Sequence, residues 1–247
     1  MKQLVAYITA GYPDVNFSVD LALALREAGA DILELGVPFS DPVADGPVIE
    51  AANLLALKSG FKTDMLFEIA KQVAPKITTY FMGYFNPFYH KGVDYFASKA
   101  RELGVSGFII PDLPFEEARS YKHLLEGMGL YLVDFIAPTH TSERIAKIAK
   151  DSLGFIYLVA YAGITGSGKD EDLKGLVASI KTHNSQTPVF VGFGVDENSA
   201  REKAKHADGV IVGSAFVKIL LNENLTKTQK VDKIALLARN IKEMINE

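Results

Sequence analysis

Glu34 and Asp45 are the side chains of this 247-residue sequence best placed to move protons. Glu34 lies in an apolar run with Ile32, Leu33 and Leu35, where an ionised carboxylate is costly unless it is paired or put to chemical use. The run continues as LELGVPFSDPVADGP, Leu33 to Pro47, a loop rich in Gly and Pro that also presents Asp41 and Asp45. Two carboxylates in different surroundings can divide acid–base work. One has a raised pKa and moves protons, while the other stays ionised and orients a donor. Each also has a plainer reading. Glu34 could be tied to a Lys or a backbone amide in the core, and Asp45 could form an Asx turn or cap a helix over Val48–Leu57. Asp112, in Ile109-Ile110-Pro111-Asp112, would either touch a substrate or cap the helix after Pro114. Asp134, inside LVDFIAP, reads as a buried, satisfied acid and receives no chemical role.

Three Gly-rich segments suggest an anion site: Ala162-Gly163-Ile164-Thr165-Gly166, Gly192-Phe193-Gly194 and Gly213-Ser214-Ala215. Glycine lets a backbone approach an anion closely, and the N–H groups at a helix start then bind it. Any one Gly pair is ordinary turn chemistry; three after consecutive late strands, ending with Ser214 before Ala215–Leu221, form a phosphate signature.

Other chemistries lack their residues. The five histidines (His90, His123, His140, His183, His206) show no metal-ligand spacing. Cysteine is absent, which removes disulfides and thiolate ligands and fits a reducing cytoplasm. No Lys ends an expected strand as a Schiff-base aldolase requires. There is no Gly-x-Ser-x-Gly elbow, GxGxxG or GxxxxGKS motif. A net charge of −4 without a basic cluster disfavours nucleic acid. No apolar run is long enough to cross a membrane, and the MKQLVAYITAG start is too short and strand-like for a signal peptide. What remains is acid–base chemistry on a small phosphorylated molecule, with no cofactor and no metal.

The elements that must hold these residues alternate from end to end. Apolar, β-rich runs are Leu4–Thr9, Asp31–Gly36, Ile77–Met82, Gly107–Ile110, Leu130–Ile136, Gly154–Val159, Pro188–Gly192 and Gly209–Val212. Segments of helical period between them include Asn16–Ala28, Val93–Leu103, Phe115–Met128, Ser142–Asp151 and Asn198–Lys205, and Lys227–Ile245 closes the chain. Strands apolar on both faces and separated by helices imply a parallel sheet covered by helices. Eight such units in about this length point to an α/β protein built as one (β/α)8 TIM barrel over residues 1–247. No linker or composition break divides it. In such a barrel the active site forms at the C-terminal strand ends, where the acids and the Gly-rich segments fall. Tyr7, Met82, Tyr84, Ile109, Phe135, Tyr157 and Phe193 lie on or just beyond strands. They are partly core and partly a wall suited to a flat apolar ring.

With these residues in place, the sequence resembles the tryptophan synthase alpha subunit family over essentially its whole length. LELGVPFSDPVADGP is nearly diagnostic. YITAG at Tyr7–Gly11, GYFNP at Gly83–Pro87, PDLPFEE at Pro111–Glu117, APT at Ala137–Thr139, GITG at Gly163–Gly166, GFGV at Gly192–Val195 and VGSAFVK at Val212–Lys218 support it. The resemblance implies reversible retro-aldol cleavage of indole-3-glycerol phosphate to indole and glyceraldehyde 3-phosphate. Glu34 would be the principal acid–base, Asp45 would accept the indole N–H, and Tyr157 would help to position Glu34. Phosphate would rest on Gly166, Gly194, Gly213 and Ser214. Tyr7, Met82, Tyr84, Ile109 and Phe193 match indole-pocket positions, with Asp112 at their edge.

The resemblance also implies a partner, a pyridoxal-phosphate β subunit that receives indole through a tunnel in an αββα heterotetramer. Asp41 and Pro42 would contact it, and Tyr161–Lys174, including Thr165 and Gly166, would form a mobile lid. The chain itself would bind no pyridoxal phosphate, and alone it would be a weak catalyst. Protonating indole near neutral pH needs a carboxylic acid, whereas an unperturbed Glu titrates near about 4.3. A raised Glu34 pKa is therefore expected, and a rate profile without titration above about pH 5 would argue against it.

Three departures from the family pattern stand out. Met1 nearly abuts the first strand, where relatives carry a short helical lead-in, which implies either a trimmed start or a different closure of the barrel bottom. Tyr12 replaces a common Asp in the Gly-x-Pro turn, and Ala160-Tyr161 replace a more polar pair at the lid entry. Rival readings are another phosphate-binding barrel enzyme, which would need a strand-end Lys or paired Asp, and a non-catalytic regulatory barrel that binds a phosphorylated ligand.

Overall fold

The structure, a computed structural model, describes residues 1–159 and 173–247. Its first half runs β1 (Gln3–Thr9), α1 (Val15–Glu27), β2 (Ile32–Gly36), α2 (Pro47–Lys58), α3 (Thr63–Val73), β3 (Thr78–Met82), α4 (Phe85–Lys91), α5 (Val93–Leu103) and β4 (Gly107–Ile109). The second runs α6 (Phe115–Gly127), β5 (Tyr131–Leu132), β6 (Asp134–Ile136), α7 (Ser142–Asp151), β7 (Ile156–Val159), α8 (Leu173–His183), β8 (Val189–Gly192), α9 (Ala200–Ala204), β9 (Gly209–Val212), α10 (Ser214–Leu220) and α11 (Lys227–Met244).

The strands form one parallel sheet in the order β5-β4-β3-β2-β1-β9-β8-β7-β6. Its two ends, β5 and β6, are joined in the chain by Val133 alone, whose N–H donates to the Phe108 carbonyl at 2.9 Å. The sheet therefore curls into a nearly closed TIM barrel. The single run expected over Leu130–Ile136 is divided because its first part pairs with β4 and its last part with β7. Tilted strands in a barrel are staggered, so one strand is paired along different lengths of its two edges.

Alternation sorts the strand residues into two layers. Leu4, Ala6, Ile8, Leu33, Leu35, Phe81 and Phe108 face outward and pack with helical residues such as Phe17, Leu21, Leu66 and Ile241. Val5, Tyr7, Ile32, Tyr80, Met82, Ile109, Val133, Phe155, Tyr157, Phe190 and Ile211 face inward and fill the barrel. Every residue of β2 is buried on both faces, so its sequence lacks a polar stripe. Fully burying one of its leucines stabilises the fold by about 1.5–3 kcal/mol.

The barrel bottom at β1 is tied down by α11. That helix begins with a capping box, Thr226 and Gln229. At its far end Lys242 Nζ donates to Asp31 Oδ2 at 2.6 Å and to the Lys2 carbonyl at 2.8 Å. Asp31 Oδ2 also accepts the Leu4 N–H at 2.7 Å, and the Lys2 N–H donates to Asn246 Oδ1 at 2.7 Å. These bonds hold β1 in the register that pairs Tyr7 with Glu34 at the opposite end of the strand.

Candidate active site

Glu34 lies two residues beyond Ile32 on β2, so alternation turns it into the barrel. Its neighbours in register are Tyr7 on β1 and Tyr80 on β3, both members of the interior cluster. It is 2% exposed, and its Oε1 has no hydrogen-bond partner among the described residues. Neither the Lys nor the backbone amide of the plainer reading is supplied to that oxygen. Burial, reinforced by the charge of Asp45, pushes the Glu34 carboxyl up to about 8.

Asp45 does not cap α2. The helix begins after Gly46 with Pro47, and it has no side-chain cap. Instead Asp45 Oδ2 accepts the Tyr84 hydroxyl at 3.0 Å, and the same hydroxyl accepts the Ala44 N–H at 2.9 Å. Burial pushes the Asp45 carboxyl up to about 6, with the Tyr84 bond working against it. Burial and the Asp45 charge raise the Tyr84 phenol, which keeps its proton to donate. The Tyr84 ring stacks on Phe39 with centroids 5.4 Å apart, which anchors the loop between β2 and α2. The two acids therefore differ. Asp45 has a donor and titrates lower; Glu34 has an orphaned oxygen and titrates higher.

The wall is aromatic. Tyr157 stacks on Phe135 at 4.8 Å and meets Phe193 at 5.7 Å. Burial and the charges of Glu34 and Asp45 raise the Tyr157 phenol, so it is neutral beside the two acids. Tyr7 is raised for the same reasons, burial first. Both rings lie against glycines of the adjacent strand. A Cβ on Gly36 would come within 2.4 Å of the Tyr7 hydroxyl, and one on Gly192 within 2.3 Å of the Tyr157 ring. Met82 and Ile109 complete the interior positions expected for the wall. Tyr84 differs, since its hydroxyl serves the Asp45 loop.

Asp112 does not cap α6, the helix after Pro114, as one expectation had it. Its Oδ1 accepts the Phe85 N–H at 2.8 Å, the first residue of α4, and not an amide of α6. Asp134 is satisfied as expected, by Lys122 Nζ and by Ser152 Oγ at 2.9 Å. Asp41 is exposed and accepts the Ser40 hydroxyl, while Pro42 beside it is buried.

Gly194 follows β8, and Gly213 and Ser214 open α10, so two of the three Gly-rich segments reach the same barrel end. A helix start leaves N–H groups without intrahelical partners. Gly163, Ile164, Thr165 and Gly166, with Ala160, Tyr161 and nearly all of the expected lid, lie outside the described residues. The sequence reading missed α2 as part of the chamber. Val48, Ile49 and Ala52 join the interior cluster, and Ile49 Cδ1 would lie 3.5 Å from a Cβ on Gly213. The signal was the apolar face of Val48–Leu57, read only as a helix.

Comparison with known proteins agrees with this fold. The family model described as "Tryptophan synthase alpha chain" matches residues 1–246. The tryptophan synthase alpha chain of Wolinella succinogenes is 57% identical over 246 residues, covering 100% of this chain and 96% of that one. That of Methanosarcina acetivorans is 42% identical over 243 residues, covering 97% and 87%. Among solved structures, Mycobacterium tuberculosis tryptophan synthase superposes with a TM-score of 0.88 at 35% identity, covering 100% of this chain and 93% of that chain. The alpha chain from Legionella pneumophila gives 0.87 at 34% identity, covering 99% and 92%.

Proposed function

The chain belongs to the tryptophan synthase alpha chain family, and we propose that Glu34 and Asp45 carry out its lyase reaction, cleavage of indole-3-glycerol phosphate to indole and glyceraldehyde 3-phosphate. The observation that carries this reading is Glu34 itself, a buried carboxyl with an orphaned oxygen and a pKa near 8, facing a second carboxyl near 6.

Between those values Glu34 holds a proton and Asp45 does not. Glu34 gives its proton to the indole carbon that bears the glycerol phosphate chain, making that ring an electron sink. The positive charge spreads to the ring nitrogen, whose N–H donates to the Asp45 carboxylate. The carbon–carbon bond then breaks, and its electron pair restores the indole. The adjacent hydroxyl becomes the aldehyde, and its proton passes to the Glu34 carboxylate. Glu34 ends the cycle as it began, so no external acid or base is consumed. Tyr7, Met82, Ile109 and Phe193 sandwich the ring, Tyr157 positions Glu34 and Tyr84 positions Asp45. The phosphate rests on the backbone of Gly194, Gly213 and Ser214, with Gly166 added from outside the described residues.

A second subunit completes the enzyme in this reading. A pyridoxal-phosphate β subunit docks near Asp41 and Pro42 and receives indole within an αββα assembly in the cytoplasm. Val43, 83% exposed in the same loop, and Tyr89 on α4, 65% exposed, offer apolar surface to it. No helix among the described residues is long and apolar enough to cross a membrane. The regulatory-barrel reading has no support, because the chain matches an enzyme family along its whole length. The test is indole release from indole-3-glycerol phosphate by wild type and Glu34→Gln, each with and without a β subunit. Turnover that rises with the partner and is lost in Glu34→Gln supports the assignment. No turnover by wild type with a cognate partner overturns it.

A further inference from the structure

The loop after β8 carries an unusual pair of backbone conformations. Phe193 sits at φ 67 without being glycine, and Gly194 follows at φ 64. A left-handed φ on a bulky residue is strained and persists only where its surroundings hold it. The holding group is Lys203 on α9. Its Nζ donates to the Phe193 carbonyl at 3.1 Å and to the Gly194 carbonyl at 2.6 Å. Lys203 is half-buried. Desolvation lowers its ammonium pKa and the charge of Asp196 raises it.

Peptide geometry gives these bonds a consequence. In a trans peptide the C=O and the following N–H point in opposite directions. Drawing the Phe193 carbonyl toward α9 turns the Gly194 N–H away from α9, and drawing the Gly194 carbonyl does the same to the Val195 N–H. The Phe193 ring of the same loop meets Tyr157 in the aromatic wall. One ammonium thus sets both the direction of the amide offered to an anion and the seat of the ring that walls the aromatic chamber.

We infer that Lys203 is a positioning residue for the phosphate of the substrate. It acts through the backbone of Phe193 and Gly194 without touching the substrate, an inference that rests on the proposed function. The experiment compares wild type, Lys203→Met and Lys203→Arg by kcat and KM for indole-3-glycerol phosphate with a β subunit present. It also measures binding of glycerol 3-phosphate and of indole to the free chain, and thermal melting. Methionine keeps the stem and removes the donors; arginine keeps the charge and can reach two carbonyls.

In Lys203→Met, KM and the Kd for glycerol 3-phosphate should rise about tenfold, the loss expected for charge-assisted bonds that orient the binding amide. kcat should stay within about twofold, the indole Kd should change less than the glycerol 3-phosphate Kd, and Lys203→Arg should recover most of the loss. Unchanged glycerol 3-phosphate affinity in Lys203→Met overturns the inference. So does an equal loss of both ligands accompanied by a lowered melting temperature, which would make Lys203 merely structural. Wild type that binds glycerol 3-phosphate but does not cleave the substrate defeats the proposed function while leaving the Lys203 comparison readable. Wild type that binds no glycerol 3-phosphate overturns both.

Discussion

Glu34 in the barrel and Asp134 in the layer outside it are both strand carboxylates, 2% and 5% exposed. Burial pushes both pKa values up, but the surroundings then diverge. Asp134 faces the Lys122 ammonium, which pulls it back down, and accepts the Ser152 hydroxyl at 2.9 Å. Glu34 faces a second carboxyl and leaves Oε1 unpartnered. Burial alone therefore does not set these two acids apart. The difference lies in whether the fold supplies compensating charge and donors, which oppose the rise at Asp134 and are missing at Glu34 Oε1 among the described residues.

The sharpest break of that comparison is a pair of substitutions with opposite readouts. Glu34→Gln should lower kcat with a β subunit by about 10²–10⁴-fold, the usual worth of a positioned acid–base group. It should leave melting unchanged or raised, since it removes an uncompensated buried acid. Asp134→Ala should do the reverse. Unpairing Lys122 in the interior costs about 3–5 kcal/mol in denaturant unfolding, while kcat of the protein still folded stays near wild type. If Glu34→Gln unfolds the protein or Asp134→Ala abolishes turnover of folded protein, the two regions have been assigned the wrong way round.

Titration sharpens the same contrast. With Asp45 near 6 and Glu34 near 8, kcat/KM should follow a bell with its limbs near those values, and Glu34→Gln should have no such profile. Stability carries a matching signature. The folded-state pKa of Glu34, about 8, lies above its ordinary 4.5, so between these values the folded chain holds a proton that the unfolded chain has lost. Stability from this group is then complete below about pH 4.5 and falls as pH rises toward 8, by on the order of a few kcal/mol. Urea unfolding of wild type should show this decline relative to Glu34→Gln, and parallel curves for the two proteins would remove Glu34 as its source.

Much of this contrast was legible in the residues. Glu34 between Leu33 and Leu35 announced a buried acid, and the eight apolar runs announced the barrel. Asp134 in LVDFIAP had the same local look, and its partners Lys122 and Ser152 come from other elements, so only the fold could show that it is satisfied. The same limit explains Asp112. Its own neighbours suggested a cap for the helix that follows, but the parallel pairing of β3 with β4 sets it beside the start of α4 instead. The division of Leu130–Ile136 at Val133 arises from barrel stagger, which no local pattern encodes. Lys203 was invisible for a similar reason, since nothing in Asn198–Lys205 indicates that its ammonium turns toward the carbonyls of the preceding loop.

The smallest effect expected concerns the partner that Asp45 has and Glu34 lacks. Tyr84→Phe removes the hydroxyl that joins the Ala44 N–H to the Asp45 carboxylate and keeps the ring stacked on Phe39. Without that donor, burial acts on Asp45 unopposed, and its carboxyl should titrate above 6. The acidic limb of the rate profile should move upward, toward the limb set by Glu34, and narrow the bell. At neutral pH kcat/KM should fall about tenfold, in line with losing one hydrogen bond to a charged group. A fall of that size with the acidic limb unmoved would mean that Tyr84 shapes the loop but does not tune Asp45. In that case the difference between the two acids of the barrel would come from depth of burial alone.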